Sequence, residues 1–230
     1  MNLKKLYDLL LDHFGHQDWW PVDHNYHSNH RTDPRFEIIV GAILTQNTAW
    51  ANVIKALENL KQHHVLTIES IIHMDEETLK AIILPSGFFN QKALRLKTFT
   101  TYIQQKYKAN LTAFFSRDTQ VIRKELLALN GIGPETADSI LLYAGNHPIF
   151  VIDAYTKRIS KRLPLPVHGN TYDELQRFFE QTLQKDYPGD HLVLAFKELH
   201  ALLVELAKNY CKTTPLCDRC PLMRLCQKIL

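Results

Sequence analysis

Apolar residues recur at steps of three and four along most of this chain. The runs AWANVIKALENLKQ, VIRKELLAL, YDELQRFFEQTLQK and HLVLAFKELHALLVELAKNY each gather an apolar stripe on one helical face, and no stretch keeps the alternation that a half-buried strand needs. The pattern predicts an all-α protein. With 230 residues, 45% of them hydrophobic, the chain is long enough to bury one large core or two small ones.

Between two of the helical runs stands LNGIGPETA. Gly131 and Gly133 are expected to supply the positive φ values of a very tight turn whose backbone N–H groups point outward. Pro134 suits a first helical position, and Ala137, Ile140, Leu141 and Ala144 continue at helical spacing. Upstream, Asp118 is a candidate N-cap for a helix with Val121, Ile122, Leu126 and Leu129 on its apolar face. The local prediction is helix, hairpin, helix. The second helix would start with free N–H donors and a partial positive charge, enough to hold one DNA phosphate without a lysine. The same pattern also serves a plain helical hairpin that closes a bundle. Asp153 follows at the end of the apolar run Ile149, Phe150, Val151, Ile152 and ahead of a further helical stretch, so it can cap a helix, carry chemistry, or do both.

All four cysteines fall in sixteen residues, as Cys211-x5-Cys217-x2-Cys220-x5-Cys226. The amphipathic start MNLKKLYDLLLDHF does not read as a signal segment, so disulfides are disfavoured and metal ligation is preferred. Spacing alone leaves zinc and a 4Fe–4S cluster both open, because only one C-x2-C pair is present. His24, His27 and His30 in VDHNYHSNHRTD recur every three residues, but no apolar pattern holds them together; the segment reads as a polar linker.

The hairpin, the aspartate of FVIDAYTKR, GAILTQNT at 41–48, GFFNQKA at 87–93 and the terminal cysteines occur together and in one order. In that combination the chain resembles the endonuclease III branch of the helix-hairpin-helix (HhH-GPD) DNA glycosylase superfamily over residues 36 to 226. The hairpin Gly-x-Gly-x-Glu-Thr-Ala-Asp with Leu44 to Thr48 is most similar to the 3-methyladenine DNA glycosylase branch. The resemblance implies two helical domains. A six-helix domain with the helix-hairpin-helix motif would span 36–147, and 1–35 with 148–230 would form an iron–sulfur helical domain, with the lesion pocket in the groove between them. It implies that the cysteines hold a 4Fe–4S cluster; zinc stays as the alternative, because the first cysteine gap is five residues where the family has six.

The activity it implies is repair by base excision: the damaged nucleotide is flipped out of the duplex and its N-glycosidic bond is hydrolysed. Bifunctional members carry a lysine two positions after the second hairpin glycine, and its amine attacks the sugar. Glu135 stands there instead. A carboxylate cannot form a Schiff base, so a monofunctional glycosylase is expected; the alternatives are a lyase that uses another lysine, such as Lys157, and an inactive DNA-binding protein. Asp153 sits eighteen residues beyond Glu135, the family's separation, and would stabilise the oxocarbenium-like sugar and orient or deprotonate the attacking water. Were Glu135 close to Asp153, like charge would raise the pKa of one carboxyl and provide a second catalytic group, a proton donor; as a first-turn acid it needs no such role.

The resemblance also distributes DNA contacts. Gly131, Ile132, Gly133 and Thr136 would meet the backbone, Gln46 with Asn47 beside it would fill the vacated stack, and Asn90 and Lys92 would face the opposite strand, with Phe88 and Phe89 as wedges. Trp19, Trp20, Trp50 and Tyr155 would stack on a cationic alkylated purine, or else pack the core. A formal charge of +3 is modest for a DNA binder, so affinity is expected from a localised basic face drawn from Lys157, Arg158, Lys161, Arg162, Lys92, Arg95 and Lys97. The expected partner is double-stranded DNA with a damaged base, bound by a monomer in the cytoplasm at the nucleoid, with no membrane involved.

Overall fold

The computed structural model describes residues 2–226. All regular structure among the described residues is helical, as the apolar periodicity predicts. Among the described residues no helix is long and apolar enough to cross a membrane. The chain divides into two compact units, Trp20–Gly145 and Met1–Trp19 with Asn146–Leu230.

The middle unit runs through α2 (His24–His30), α3 (Pro34–Leu44), α4 (Trp50–Gln62), α5 (Ile68–His73), α6 (Glu76–Ile83), α7 (Phe89–Tyr107), α8 (Leu111–Phe115), α9 (Thr119–Leu127) and α10 (Pro134–Ser139), the last continuing as a wider helical turn over Ile140–Ala144. At its centre is α3, whose residues Phe36 to Leu44 are all buried, and against which α4, α7 and the turn after α10 pack. Asp33 starts it, its carboxylate accepting from the Arg35 amide, with Pro34 at the first helical position. Burial of its Ile39, Val40, Ile43 and Leu44, each worth roughly 1.5–3 kcal/mol, makes it the hub of this unit.

The segment expected to be a polar linker is instead α2, and the first change of unit falls at Trp19 rather than near residue 35. Side-chain bonding explains the difference. His27 is buried, its Nε2 2.8 Å from Glu37 and its Nδ1 2.7 Å from Thr32, while Lys61 of α4 reaches Glu37 at 3.2 Å. His30 stacks between Tyr26 and His64, while His24 is exposed, so the three histidines have separate surroundings.

The other unit joins α1 (Leu3–Phe14) to α11 (Ala154–Arg162), α12 (Tyr172–Asp186) and α13 (His191–Asn209), with a short helical turn at Cys217–Arg219. A capping box starts α12, Thr171 and Glu174 bonding each other's backbone N–H. Leu3, Leu6 and Leu10 of α1 are fully buried in a unit where α1 packs on α12 and α13. Phe150, in the apolar run before α11, lies flat on Phe179 with centroids 4.6 Å apart and edge-on to Phe196 at 5.4 Å.

Candidate functional site

In the middle unit the hairpin forms where the sequence places it. Asp118 caps α9, and Pro134 opens α10. Only Gly131 takes a positive φ, +84°; Gly133 is extended at φ −89° and ψ 177°, acting as the N-cap of α10. The tight turn needs one left-handed residue, not the expected pair. A Cβ on Gly131 would meet Arg95 Nε at 2.3 Å, whereas one on Gly133 would meet nothing within 4 Å. Ile132, expected at the DNA backbone, has its side chain in the core and its amide bonded to the Leu129 carbonyl, so it shapes the turn and offers no donor. No side chain caps α10; its N-cap is the backbone of Gly133.

Gln46, in the turn after α3, docks onto this hairpin. Its Nε2 donates to the Gly131 carbonyl at 3.0 Å and to Thr136 Oγ1 at 2.8 Å, and its Oε1 accepts from the Arg95 guanidinium. Two segments singled out separately in the sequence are thus one bonded assembly. Asn47 beside it is exposed at φ +53°.

Lys92 departs from expectation. It is fully buried and cannot face a DNA strand. Its ammonium donates to the Leu44 carbonyl at 2.7 Å, the Ser86 carbonyl at 2.7 Å and Thr48 Oγ1 at 2.9 Å, which uses all three of its protons. Burial first, and the Arg95 charge second, pull its pKa from 10.5 down to about 8. Lys92 therefore staples the Gln46 turn to the turn that carries Phe88. Phe88 itself is exposed and left-handed at φ +47°, an uncommon conformation for an aromatic residue, while Phe89 is half-buried and Asn90 exposed. Lys97 is likewise committed, to the carbonyls of Ile72 and Met74.

Trp20 and Trp50 come together, edge to face at 5.1 Å, and Tyr143 joins them 5.3 Å from Trp20. Gly41 permits this: an ideal Cβ there would lie 3.0 Å from the Trp20 ring. Tyr143 was not singled out in the sequence, although its place in the apolar stripe beyond the hairpin was visible. Trp19 and Tyr155 belong to the other unit, and each is paired with a cation, Lys208 over Trp19 and Arg158 over Tyr155.

In that second unit Asp153 caps α11, its Oδ1 accepting from the Thr156 amide at 2.6 Å. It is 9% exposed, and Ile149 to Ile152 before it are buried. His200 Nε2 of α13 lies 3.8 Å from Asp153 Oδ2; sequence patterning hid this neighbour, because a histidine inside an apolar helical run reads as core. Lys157 sits over the Tyr172 ring. The other two arginines of the expected basic face turn to the cysteine loop: Arg158 donates to the Cys211 carbonyl at 2.8 Å, and Arg162 to the Lys212 and Thr213 carbonyls and to Cys211 Sγ at 3.3 Å. Cys226 Sγ donates back to the Arg162 carbonyl.

The four cysteines are half-buried thiols. Cys220 feels all three others: burial raises its pKa, and Cys211, Cys226 and Cys217 raise it further. Among the described residues no three metal-ligating side chains converge on one point. Four thiols within electrostatic reach of one another, with arginine donors at the rim, are a donor set that a thiolate-bound metal centre would use. Glu135 is exposed in the first turn of α10.

Comparison with known proteins agrees with this architecture. The model of the HhH-GPD superfamily of base excision DNA repair proteins matches residues 40–185. MJ1434 of Methanocaldococcus jannaschii, provisionally assigned as a DNA repair glycosylase, is 45% identical over 96% of this chain and 94% of its own. Endonuclease III of Thermotoga maritima is 27% identical over 86% of this chain and 85% of its own. Among solved structures, the H. pylori 3-methyladenine DNA glycosylase MagIII, bound to 1,N6-ethenoadenine, superposes with a TM-score of 0.73 at 28% identity, covering 90% of this chain and 98% of that one. An endonuclease III–DNA complex shares the fold with a TM-score of 0.75 at 22% identity, over 98% of this chain and 94% of that one. The chain belongs to the HhH-GPD superfamily of base excision DNA repair proteins, as an endonuclease III-like DNA glycosylase.

Proposed function

We propose that this glycosylase is monofunctional and that it excises alkylated purines from duplex DNA. The observation that carries the reading is Glu135, in the first turn of α10, where bifunctional relatives are expected to present the lysine that forms a Schiff base. MagIII, the relative solved with 1,N6-ethenoadenine, supports a purine substrate. Trp20 and Trp50, both half-buried, would offer ring surface to an electron-poor purine, with Tyr143 packed behind Trp20.

On this reading the uncapped start of α10 and the hairpin hold a backbone phosphate. Gln46 enters the vacated stack, and Phe88, exposed on a strained turn, wedges the opposite strand. Asp153 lies in a buried setting, where a carboxylate acts at close to full strength on the oxocarbenium-like sugar that forms as the purine leaves. Oδ1 is fixed by the Thr156 amide, and Oδ2 is the oxygen left to orient or deprotonate water. A cationic purine departs without needing a strong general acid, which matches a site with one carboxylate in that role. Cys211, Cys217, Cys220 and Cys226 would hold a 4Fe–4S cluster. When bound, it supplies a rigid four-point crosslink of the loop.

The test is a panel of duplexes carrying 3-methyladenine or an analogue, 1,N6-ethenoadenine, thymine glycol, uracil or an abasic site, scored separately for base release and strand cleavage. Release of alkylated purine without cleavage is expected, with a loss of about 100-fold or more in Asp153→Asn. Borohydride should trap no covalent adduct. Strand cleavage with an adduct would show that another amine, such as Lys157, does the work and would end the monofunctional reading.

A further inference from the structure

The two carboxylate oxygens of Asp153 have different neighbours. Oδ1 is taken up by the Thr156 amide; Oδ2 lies 3.8 Å from Nε2 of His200. Both side chains are close to nine-tenths buried, at 12% and 11% exposure, so the interaction between them is weakly screened. The imidazole is held in place, edge-on to Phe150 at 6.4 Å and 87°, and Phe150 is itself fixed by Phe179 and Phe196. The two helices that carry the pair, α11 and α13, pack directly on each other. A histidine at the far end of a rigid aromatic cluster, aimed at one oxygen of a buried acid, is more than is needed to fill space.

We propose that His200 is the positioning residue of Asp153, directing a ring N–H at Oδ2 so that the carboxylate stays fixed in orientation through base release. The inference rests on Asp153 being the catalytic carboxylate. A gap of 3.8 Å is about 0.7 Å longer than a hydrogen bond, the kind of slack that catalytic contacts lose when substrate closes the site. Burial pushes the His200 pKa down and the Asp153 charge pulls it up, with burial the larger influence. The ring is therefore neutral at pH 7, and it donates without adding a positive charge that would cancel the anion the sugar needs.

The experiment compares wild type with Asp153→Asn, His200→Leu and His200→Gln on a duplex of the lesion released by the wild type. Single-turnover base release is measured alongside equilibrium binding to the same duplex with a non-hydrolysable sugar, and the His200 titration is followed by NMR in wild type and Asp153→Asn. Expected are loss of release in Asp153→Asn and a fall of about 10- to 100-fold in His200→Leu with unchanged binding. His200→Gln, which retains an N–H donor, should recover part of that loss. The His200 pKa should be lower in Asp153→Asn than in wild type. Undiminished release in His200→Leu overturns the inference and leaves the role of Asp153 standing, provided that Asp153→Asn is inactive. Undiminished release in Asp153→Asn overturns both. A loss in His200→Leu that glutamine does not recover, with the His200 pKa unmoved by Asp153→Asn, reduces His200 to packing and overturns the inference as well.

Discussion

Lys92 shows how far a residue's type can mislead about its task. Its sequence neighbourhood, an exposed-looking GFFNQKA loop, suggests a cation for DNA; its three carbonyl and hydroxyl acceptors make it an internal staple. Lys92→Met should leave phosphate binding by the hairpin nearly intact while slowing nucleotide flipping, read as a reduced 2-aminopurine signal at the lesion site. The same variant should change the pH dependence of stability. The folded-state pKa of Lys92 is about 8, below its ordinary 10.5, so between those values the unfolded chain holds more protons than the folded one. Stability contributed by this site therefore rises with pH across that window, and the burial cost is fully felt below pH 8. Urea unfolding at pH 7.5 and pH 10 should show a rise in wild type that Lys92→Met lacks. Arg158 and Arg162 teach the same lesson: both read as DNA contacts and both are bonded to the cysteine loop. Side-chain partners some fifty positions away leave no periodic trace in the sequence, whereas the capping place of Asp153 was legible because a carboxylate ends an apolar run ahead of a helical stretch.

At the scale of elements the hairpin was almost fully readable, since glycine, proline and helical spacing act over a few residues. What escaped was the division of labour between its glycines. Gly131 is both left-handed and pressed against Arg95, so Gly131→Ala should cost on the order of 1–2 kcal/mol in thermal or urea unfolding and distort the turn. Gly133 has an ordinary backbone and open space, so Gly133→Ala should leave stability within about 0.5 kcal/mol. If Gly133 is where a phosphate approaches, the added methyl should still weaken DNA binding in a fluorescence titration. The histidine segment was misread for the opposite reason. Helix α2 is only seven residues long and polar outside, and its place is set by the buried His27–Glu37 pair, a tertiary contact that no local pattern encodes.

At the scale of the molecule, the all-helical class followed from periodicity, and the family from the order of motifs spread over most of the chain. The net charge of +3 reads differently once Lys92, Lys97, Arg158 and Arg162 are seen to be spent internally. Four of the seven cations expected on the basic face are thus committed, so the dependence of DNA affinity on salt should be shallow, with a log–log slope equivalent to about two to four phosphate contacts. A slope near that of strongly basic DNA binders would mean that the basic face has been underestimated. Metal analysis of anaerobically purified protein should give roughly four iron per chain and matching acid-labile sulfide. One zinc and no sulfide would instead assign the cysteine loop to a mononuclear site.

The docking of Gln46 has a consequence for how DNA is searched. In the free protein this side chain is bonded to the Gly131 carbonyl, to Thr136 and to Arg95, so it leaves the hairpin only by giving up those bonds. On the proposed reading, a probe that starts retracted imposes a toll on every interrogation. A well-stacked pair does not return it, whereas a weakened, alkylated pair does. Thr136→Val, which removes one latch without changing side-chain volume, should make the enzyme open undamaged pairs more often, measured by 2-aminopurine fluorescence in lesion-free duplex. Selectivity would then reside partly in the resting enzyme, as a threshold set before any damaged base is touched.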